Sequence, residues 1–110
     1  MKSAKPAASA HRVPVETPIS LLENWYLQRC NGDWEHSWGV EIETLDNPGW
    51  HLKINLNETK VENNVLERTG IDRGEKDWIM YWVEKRVFHA ACVPLNLSEA
   101  IKIFVDWFDS

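Results

Sequence analysis

The sequence contains little cysteine, no long apolar run and no excess of positive charge. Its two cysteines, Cys30 and Cys92, have no metal-ligand spacing, so we expect free buried thiols in a cytoplasmic protein. No run approaches the roughly 20 apolar residues that a membrane span requires. The net charge of −5 argues against general nucleic-acid binding, because that function needs clustered Lys and Arg.

The motifs of the common enzyme classes are also missing. The chain has no Ser-His-Asp order, no Gly-rich phosphate loop and no paired Cys motif. His51 and His89 each fall on a predicted strand and have no obvious partner. We therefore expect neither enzymatic activity nor a cofactor or metal.

Length and composition favour one domain preceded by a tail. Residues 1–16 are rich in Ala, Ser, Pro and Lys and lack periodicity, which is typical of a flexible tail or linker. Residues 17–110 are numerous enough to bury a core without metals or disulfides. They carry nine basic and sixteen acidic residues, a net charge of −7. A charged partner of this domain is therefore expected to be basic.

A central stretch of the sequence predicts a β-hairpin. Large side chains recur at every second position on both sides of an Asn-Pro-Gly sequence at 47–49, which has strong turn chemistry. We expect a three-residue loop, with Asp46 opposite Trp50 and Glu43 beside Lys53. A slip of one residue would turn every large side chain to water, so this register is well specified.

Helices are predicted at both ends of the domain. Thr17-Pro18 indicates the start of the first helix and Asn31-Gly32 its end. The last helix is expected to begin with a capping box, in which Asn96 is the N-cap and Glu99 follows three residues later. Its apolar stripe leaves out Trp107, at an exposed end that suggests a homodimer contact.

Three further strands are predicted after the hairpin. They are expected within 65–72, 78–84 and 87–93, with a tight turn at Lys85-Arg86. Strand 78–84 is apolar on both faces, which is typical of a central strand covered on both sides. This order predicts an α+β fold, in which an antiparallel sheet of about five strands forms a meander and the N- and C-terminal helices pack on one face.

The sheet face away from the helices is expected to stay open to a partner. Ile42 and Ile54 share the helix-covered face, so their neighbours in each strand point away. The open face is predicted to carry Glu41, Glu43, Lys53, Asn55 and some of Ile79, Tyr81 and Val83. Such a mixture of charged and apolar side chains suits protein binding.

Several acidic residues lie near His36 in the sequence. Asp33, Glu35, Glu41 and Glu43 could form a metal site or an acid–base pair with that histidine. No second histidine follows at metal-ligand spacing, so a solvated or capping role is favoured. A small metal-dependent hydrolase that uses Glu35, His36 and Glu43 is the minor alternative.

Two runs in the central stretch carry a family resemblance. Gly-Asp-Trp-Glu-His at 32–36 and the run at 39–50, which continues through the Pro-Gly turn to Trp50, resemble the signature of the immunity protein 53 family. The flanking elements are similar too, so the resemblance spans nearly all of 17–109. It implies a protein that binds and neutralises a cognate toxin of a bacterial polymorphic toxin system, without catalytic residues.

The expected binding surface combines negative charge with an aromatic anchor. Inhibitors of nucleases often present acidic surfaces, because such toxins bind phosphate through basic ones and charge matching speeds encounter. A toxin, with a nuclease as one candidate, is therefore the expected partner. The predicted contact residues are Asp33, Glu35, Glu41, Glu43, Lys53 and Tyr81. A generic acidic protein-interaction domain is the main alternative.

Overall fold

The computed structural model describes residues 16–110, so the predicted flexible tail lies outside the described residues except for Glu16. Helix α1 and a short helix α2 precede a β-hairpin, three further strands follow, and a long helix ends the chain. The elements are α1 (Pro18–Arg29), α2 (Trp34–Ser37), β1 (Val40–Leu45), β2 (Gly49–Asn55), β3 (Leu66–Asp72), β4 (Trp78–Glu84), β5 (Val87–Cys92) and α3 (Leu97–Asp109).

Helix α1 begins and ends where the sequence indicates. The Thr17 hydroxyl oxygen accepts a hydrogen bond from the backbone N–H of Ser20, and Pro18 occupies the first turn. Cys30 caps the other end, and Gly32 follows with a φ of 89°. The predicted helix and its N-cap are therefore confirmed, whereas its C-cap is Cys30, just before the predicted Asn31-Gly32 stop.

All five strands pair antiparallel, in the order β1-β2-β5-β4-β3. The hairpin β1–β2 and the meander β3–β4–β5 each join strands that are consecutive in sequence. The connection from β2 to β3 crosses to the far edge, so that β5 becomes the neighbour of β2. The predicted α+β fold with a five-stranded antiparallel sheet is confirmed, and the meander has this one crossover.

The hairpin keeps the predicted loop length but not the predicted partners. Leu45 pairs with Gly49, which leaves a loop of three residues, whereas Trp50 pairs with Thr44 rather than with Asp46. A Cβ atom on Gly49 would lie 2.4 Å from the carbonyl oxygen of Cys92. The missing side chain lets this residue join the sheet beside β5, where sequence reasoning assigned it to the turn.

The core lies between the sheet and the two long helices. Trp25 of α1 packs edge-on against Phe104 of α3, with ring centroids 5.0 Å apart, and Phe104 lies 5.0 Å from Phe88 of β5. Leu52 and Ile54 are fully buried beneath them. Ile42 and Ile54 have the same parity in paired strands and share this face, as predicted.

Three expectations about the second half of the chain are wrong. Asn96 is the N-cap residue of α3 but makes no side-chain cap, because its amide donates to Asp77 and to the carbonyl of Trp78. Glu99 pairs with Arg73 instead of completing a capping box. Trp107 is half-buried against Phe88, at a centroid distance of 5.6 Å, and is not an exposed end.

Strand β4 also differs from its prediction. The helices cover only the face that carries Ile79, Tyr81 and Val83, while Met80 and Trp82 point to the other side of the sheet. The large apolar side chain on the other face, Trp82, is not covered by a helix. It packs against His89 and Arg68 on the open face instead.

Among residues 16–110, no helix is long and apolar enough to cross a membrane.

Candidate protein-binding surface

A row of interacting side chains crosses the sheet on the face away from the long helices. Strand pairing places Glu41 opposite Lys53, Lys53 opposite His89, and His89 opposite Trp82, so four adjacent strands contribute to one line. Neighbouring residues of the same parity complete it. We call this row the open-face band, and it consists of Glu41, Glu43, His51, Lys53, Arg68, Trp82 and His89.

The β1 end of the band is acidic. The Lys53 ammonium lies 3.8 Å from a carboxylate oxygen of Glu41 and 3.4 Å from one of Glu43. A single positive charge shared between two carboxylates leaves this end negative. The carboxylate side chains are 71% and 53% exposed, whereas that of Lys53 is 34% exposed. The negative charge is therefore presented outward, where a basic partner can reach it.

Two histidines form the centre of the band. Nε2 of His51 lies 3.1 Å from Nδ1 of His89, so one ring donates a hydrogen bond to the other. Burial and the nearby charge of Lys53 lower the pKa of His51. Burial and the neighbouring His51 lower the pKa of His89. These lowered pKa values favour the neutral form of both rings, and the hydrogen bond requires that at least the accepting ring be neutral.

The other end of the band is a stack of flat groups. The rings of His89 and Trp82 are parallel to within 4°, with centroids 4.9 Å apart. The guanidinium carbon of Arg68 lies 3.9 Å from the centroid of the Trp82 ring, a close cation–π contact. Arg68 is exposed and Trp82 is half-buried, so the stack offers a positioned arginine and an aromatic surface.

Helix α2 borders the acidic end. A hollow of about 350 Å³ lies between this helix and the band, and Glu41 and Lys53 line it together with His36. Asp33 is exposed and immediately precedes the helix. The carboxylate of Glu35 instead accepts hydrogen bonds from the backbone N–H groups of Asn31 and Gly32, at 2.9 and 2.7 Å.

These contacts give Glu35 a structural role. Backbone N–H groups, its own first and then those of Asn31 and Gly32, lower the pKa of this carboxyl. Its two oxygens are occupied in holding the loop between α1 and α2. Of the solvated or capping role favoured for these residues, Glu35 takes the capping role through these hydrogen bonds.

Tyr81 lies on the opposite side of the sheet from Glu41. It pairs with Ala90, and its ring stacks on Phe88 at a centroid distance of 6.2 Å. Its predicted position on the open face is therefore wrong. The aromatic side chain of β4 that faces outward is the next residue, Trp82, because neighbouring residues in a strand point to opposite faces.

The comparison with protein families decides the identity. A family model described as immunity protein 53 matches residues 19–109. The chain belongs to the immunity protein 53 family. A search of the curated proteins finds no match, and a search of the solved structures finds none either.

The open-face band lies entirely within the part of the chain that the immunity protein 53 model matches. Sequence reasoning found its acidic end, Glu41 and Glu43 with Lys53. It missed the histidine pair, because the contact joins residues 38 positions apart in sequence. The sequence does indicate that His51 lies on the same face as Lys53, because residues two positions apart in a strand point to the same side of the sheet.

Within residues 16–110, no group of three or more His, Cys, Asp or Glu side chains is arranged to hold a metal ion. Cys30 and Cys92 are both free, and burial raises the pKa of the Cys92 thiol. Cys30 is half-buried and lies 3.3 Å from the carbonyl oxygen of Tyr26.

Proposed function

We propose that this chain is an immunity protein that binds a cognate toxin domain and neutralises it by protein–protein contact. Membership of the immunity protein 53 family supports a toxin as the partner. The observation that carries the choice of surface is the pair Glu41 and Glu43, both exposed on an uncovered sheet face and sharing one lysine. Carboxylates arranged in this way attract a basic partner and steer it to the sheet.

The chemistry of the surface favours a nucleic-acid-cleaving toxin. Such enzymes carry basic surfaces that bind phosphate, and an acidic inhibitor can occupy the same surface. Residues 17–110 carry a net charge of −7, so the domain as a whole attracts a basic partner. The two free thiols support action in the cytoplasm, where cysteines stay reduced.

The proposed contact surface keeps most of the residues predicted from sequence. Glu41, Glu43 and Lys53 form its acidic end. We propose that Asp33, exposed at the start of α2, adds a further negative charge to this surface. The Trp82 stack supplies the aromatic anchor that was expected from Tyr81. Glu35 contributes only indirectly, because its carboxylate holds the preceding loop.

Neutralisation by contact requires no chemistry from the immunity protein, and we propose that this chain has no catalytic activity. A generic acidic protein-interaction domain would share the surface but not the protective effect. A metal-dependent hydrolase would act on the toxin or its product without a stable complex. These alternatives give different results in one experiment.

The test requires a candidate toxin domain, which is sought in the genes that neighbour the one encoding this chain. Cells that express the toxin domain are scored for growth with and without the full-length chain, and the two purified proteins are examined for a stoichiometric complex. The proposal requires both rescue of growth and a complex that abolishes toxin activity without added metal. A complex without rescue would indicate the generic interaction domain, and rescue without a complex would indicate an enzyme.

A further inference from the structure

Within residues 16–110, the outer edge of β1 is free to pair with another strand. Among residues 16–110, no strand lies beyond β1 in the sheet. The carbonyl of Gly39 accepts a hydrogen bond from the N–H of Asn55, so the backbone groups of this residue point to β2. Because the direction alternates along a strand, the N–H and C=O groups of Val40, Ile42 and Thr44 point outward.

The two edges of the sheet are not equivalent. Strand β3 changes register with β4 between Leu66 and Thr69, and irregularities of this kind twist an edge and disrupt further pairing. Strand β1 keeps one register with β2 across all six of its residues. The regular edge is therefore the one that can accept a partner strand.

The two faces beside this edge differ in chemistry. On the open face, Glu41 and Glu43 project from alternate positions of β1. On the helix-covered face, a groove of about 390 Å³ runs between α1 and the start of β1. Its apolar lining includes Ile19 and Tyr26, which are 48% and 42% exposed. An added strand would meet acid on one side and apolar surface on the other.

We propose that β1 takes an extended segment of the toxin domain as a sixth strand of the sheet. Basic side chains of that segment lie over Glu41 and Glu43, and the alternating apolar side chains enter the groove beside Ile19 and Tyr26. Main-chain hydrogen bonds to Ile42 and Thr44 supply affinity, and the two rows of side chains supply specificity. This inference rests on the proposed function, since it specifies how the same partner docks.

Charge explains why the occupant is a basic strand and not a second copy of the chain. Antiparallel pairing of two β1 strands would bring Glu41 and Glu43 of both copies together on one face. Like charges on neighbouring strands destabilise pairing. The same carboxylates that attract a lysine-rich or arginine-rich strand thus protect the exposed edge from self-association.

The test measures amide hydrogen exchange at the edge in the full-length protein. Ile42 and Thr44 are followed by NMR in the free chain and after addition of the toxin domain. A second probe is a synthetic peptide that alternates Lys and Val, matched with one that alternates Glu and Val. We expect exchange at both amides to slow at least about tenfold with the toxin domain and the Lys-Val peptide, and to stay unchanged with the Glu-Val peptide.

A pair of substitutions separates edge pairing from side-chain contact. Ile42→Pro removes an outward N–H that β2 does not use, a change that edge strands tolerate, while Ile42→Val keeps the donor. The first should weaken toxin binding at least about tenfold, and the second should leave it nearly unchanged. The peptide measurement on the unaltered chain decides the matter if the proline variant is unfolded.

The outcomes distinguish this inference from the proposed function. Rescue of growth by a chain whose Ile42 and Thr44 amides still exchange rapidly in the complex would overturn the sixth strand alone. Failure of rescue would overturn both. Slow exchange at these amides in the free chain would also overturn the inference, since the edge would already be occupied. If the slow exchange in the free chain depended on protein concentration, the occupant of the edge would be a second copy. If it did not, the occupant would be a segment of the same chain.

Discussion

Nε2 of His51 lies 3.1 Å from Nδ1 of His89, and this contact links the hairpin to the rest of the sheet. The two residues belong to β2 and β5, which are neighbours only because the chain crosses over after β2. Two protonated rings at this distance would repel each other and could not share a hydrogen bond. The contact therefore requires that at least one ring be neutral.

Acid should destabilise the protein through this pair. Burial is the first cause that lowers the pKa of both His51 and His89 from the ordinary 6.5. A histidine whose folded-state pKa is lowered stabilises the fold above its unfolded pKa and loses that contribution as pH falls toward the folded value. The free energy of unfolding should thus decrease from about pH 7.5 to about pH 5.

Chemical denaturation at a series of pH values measures this effect. The double variant His51→Gln and His89→Gln, which cannot titrate, should lose most of the dependence in that range. Acid groups such as Asp77, whose pKa is lowered by Arg73 first, respond at lower pH and serve as an internal reference. An unchanged pH profile in the double variant would contradict the role of the pair.

Gly49→Ala should be much more damaging than Gly39→Ala. The added methyl at Gly49 would lie 2.4 Å from the carbonyl oxygen of Cys92, so the β2–β5 pairing must shift, whereas Gly39 has no atom within 4 Å of such a methyl. We expect a loss of about 1–3 kcal/mol of unfolding free energy at Gly49. The change at Gly39 should be below about 1 kcal/mol, and equal losses in urea denaturation would refute the close-packing account.

The indole of Trp34 should contribute more to stability than that of Trp50. Trp34 is 2% exposed, and its Nε1 donates to the carbonyl of Asn57 at 2.8 Å. Replacement by Phe leaves that partly buried carbonyl without its donor, at a cost of about 1–3 kcal/mol. Trp50 donates to Pro94 at 2.9 Å from a half-buried position, where water can replace the bond. Thermal unfolding of the two Trp→Phe variants makes the comparison, and a smaller loss at Trp34 would be contrary to expectation.

Arg68 should affect toxin binding more than stability. It is exposed and stacks on Trp82, so it is held in place at the surface of the sheet. Arg68→Ala should weaken toxin binding by about tenfold, the level expected for an interface arginine on an aromatic ring. Arg86→Ala, at another exposed arginine, is the matched control. Isothermal titration with the toxin domain measures the affinity of both variants. Equal affinities of the two variants would show that the Arg68–Trp82 stack is not part of the binding surface.

The elements of this fold were predictable because their signals are local. The Thr17-Pro18 start of α1 and the alternation on both sides of the 47–49 turn need only neighbouring residues. Tyr81 was misplaced for the converse reason: residues 78–84 are apolar on both faces, so no alternation indicates which face meets the core. Pairing with Ala90 settles that question, and it depends on the register of β5.

The candidate site was only half predictable. Glu41 and Lys53 face each other within one hairpin, so parity and a short loop bring them together. The link from Lys53 to His89 and Trp82 depends on a crossover that places β5 beside β2, and no local pattern encodes that choice. The predicted cap at Asn96 failed for a similar reason. Its side chain bonds to Asp77, which lies 19 positions away in the sequence, instead of capping α3.

The association rate of the toxin domain tests the central claim, that the acidic end of the open-face band guides binding. The variant Glu41→Lys with Glu43→Lys is compared with Asp106→Lys and Asp109→Lys on α3. Both double variants change the charge by the same amount, and each places a new cation beside an existing lysine. A Gln version of the first variant removes the charge without adding repulsion.

Stopped-flow measurements at low and high salt give the decisive comparison. Reversal at Glu41 and Glu43 should slow association at least about tenfold at low salt and flatten its salt dependence. The Gln version should show part of this effect, and the control at Asp106 and Asp109 little of it. Equal association rates for the two reversed variants, both folded, would show that the acidic end does not guide binding.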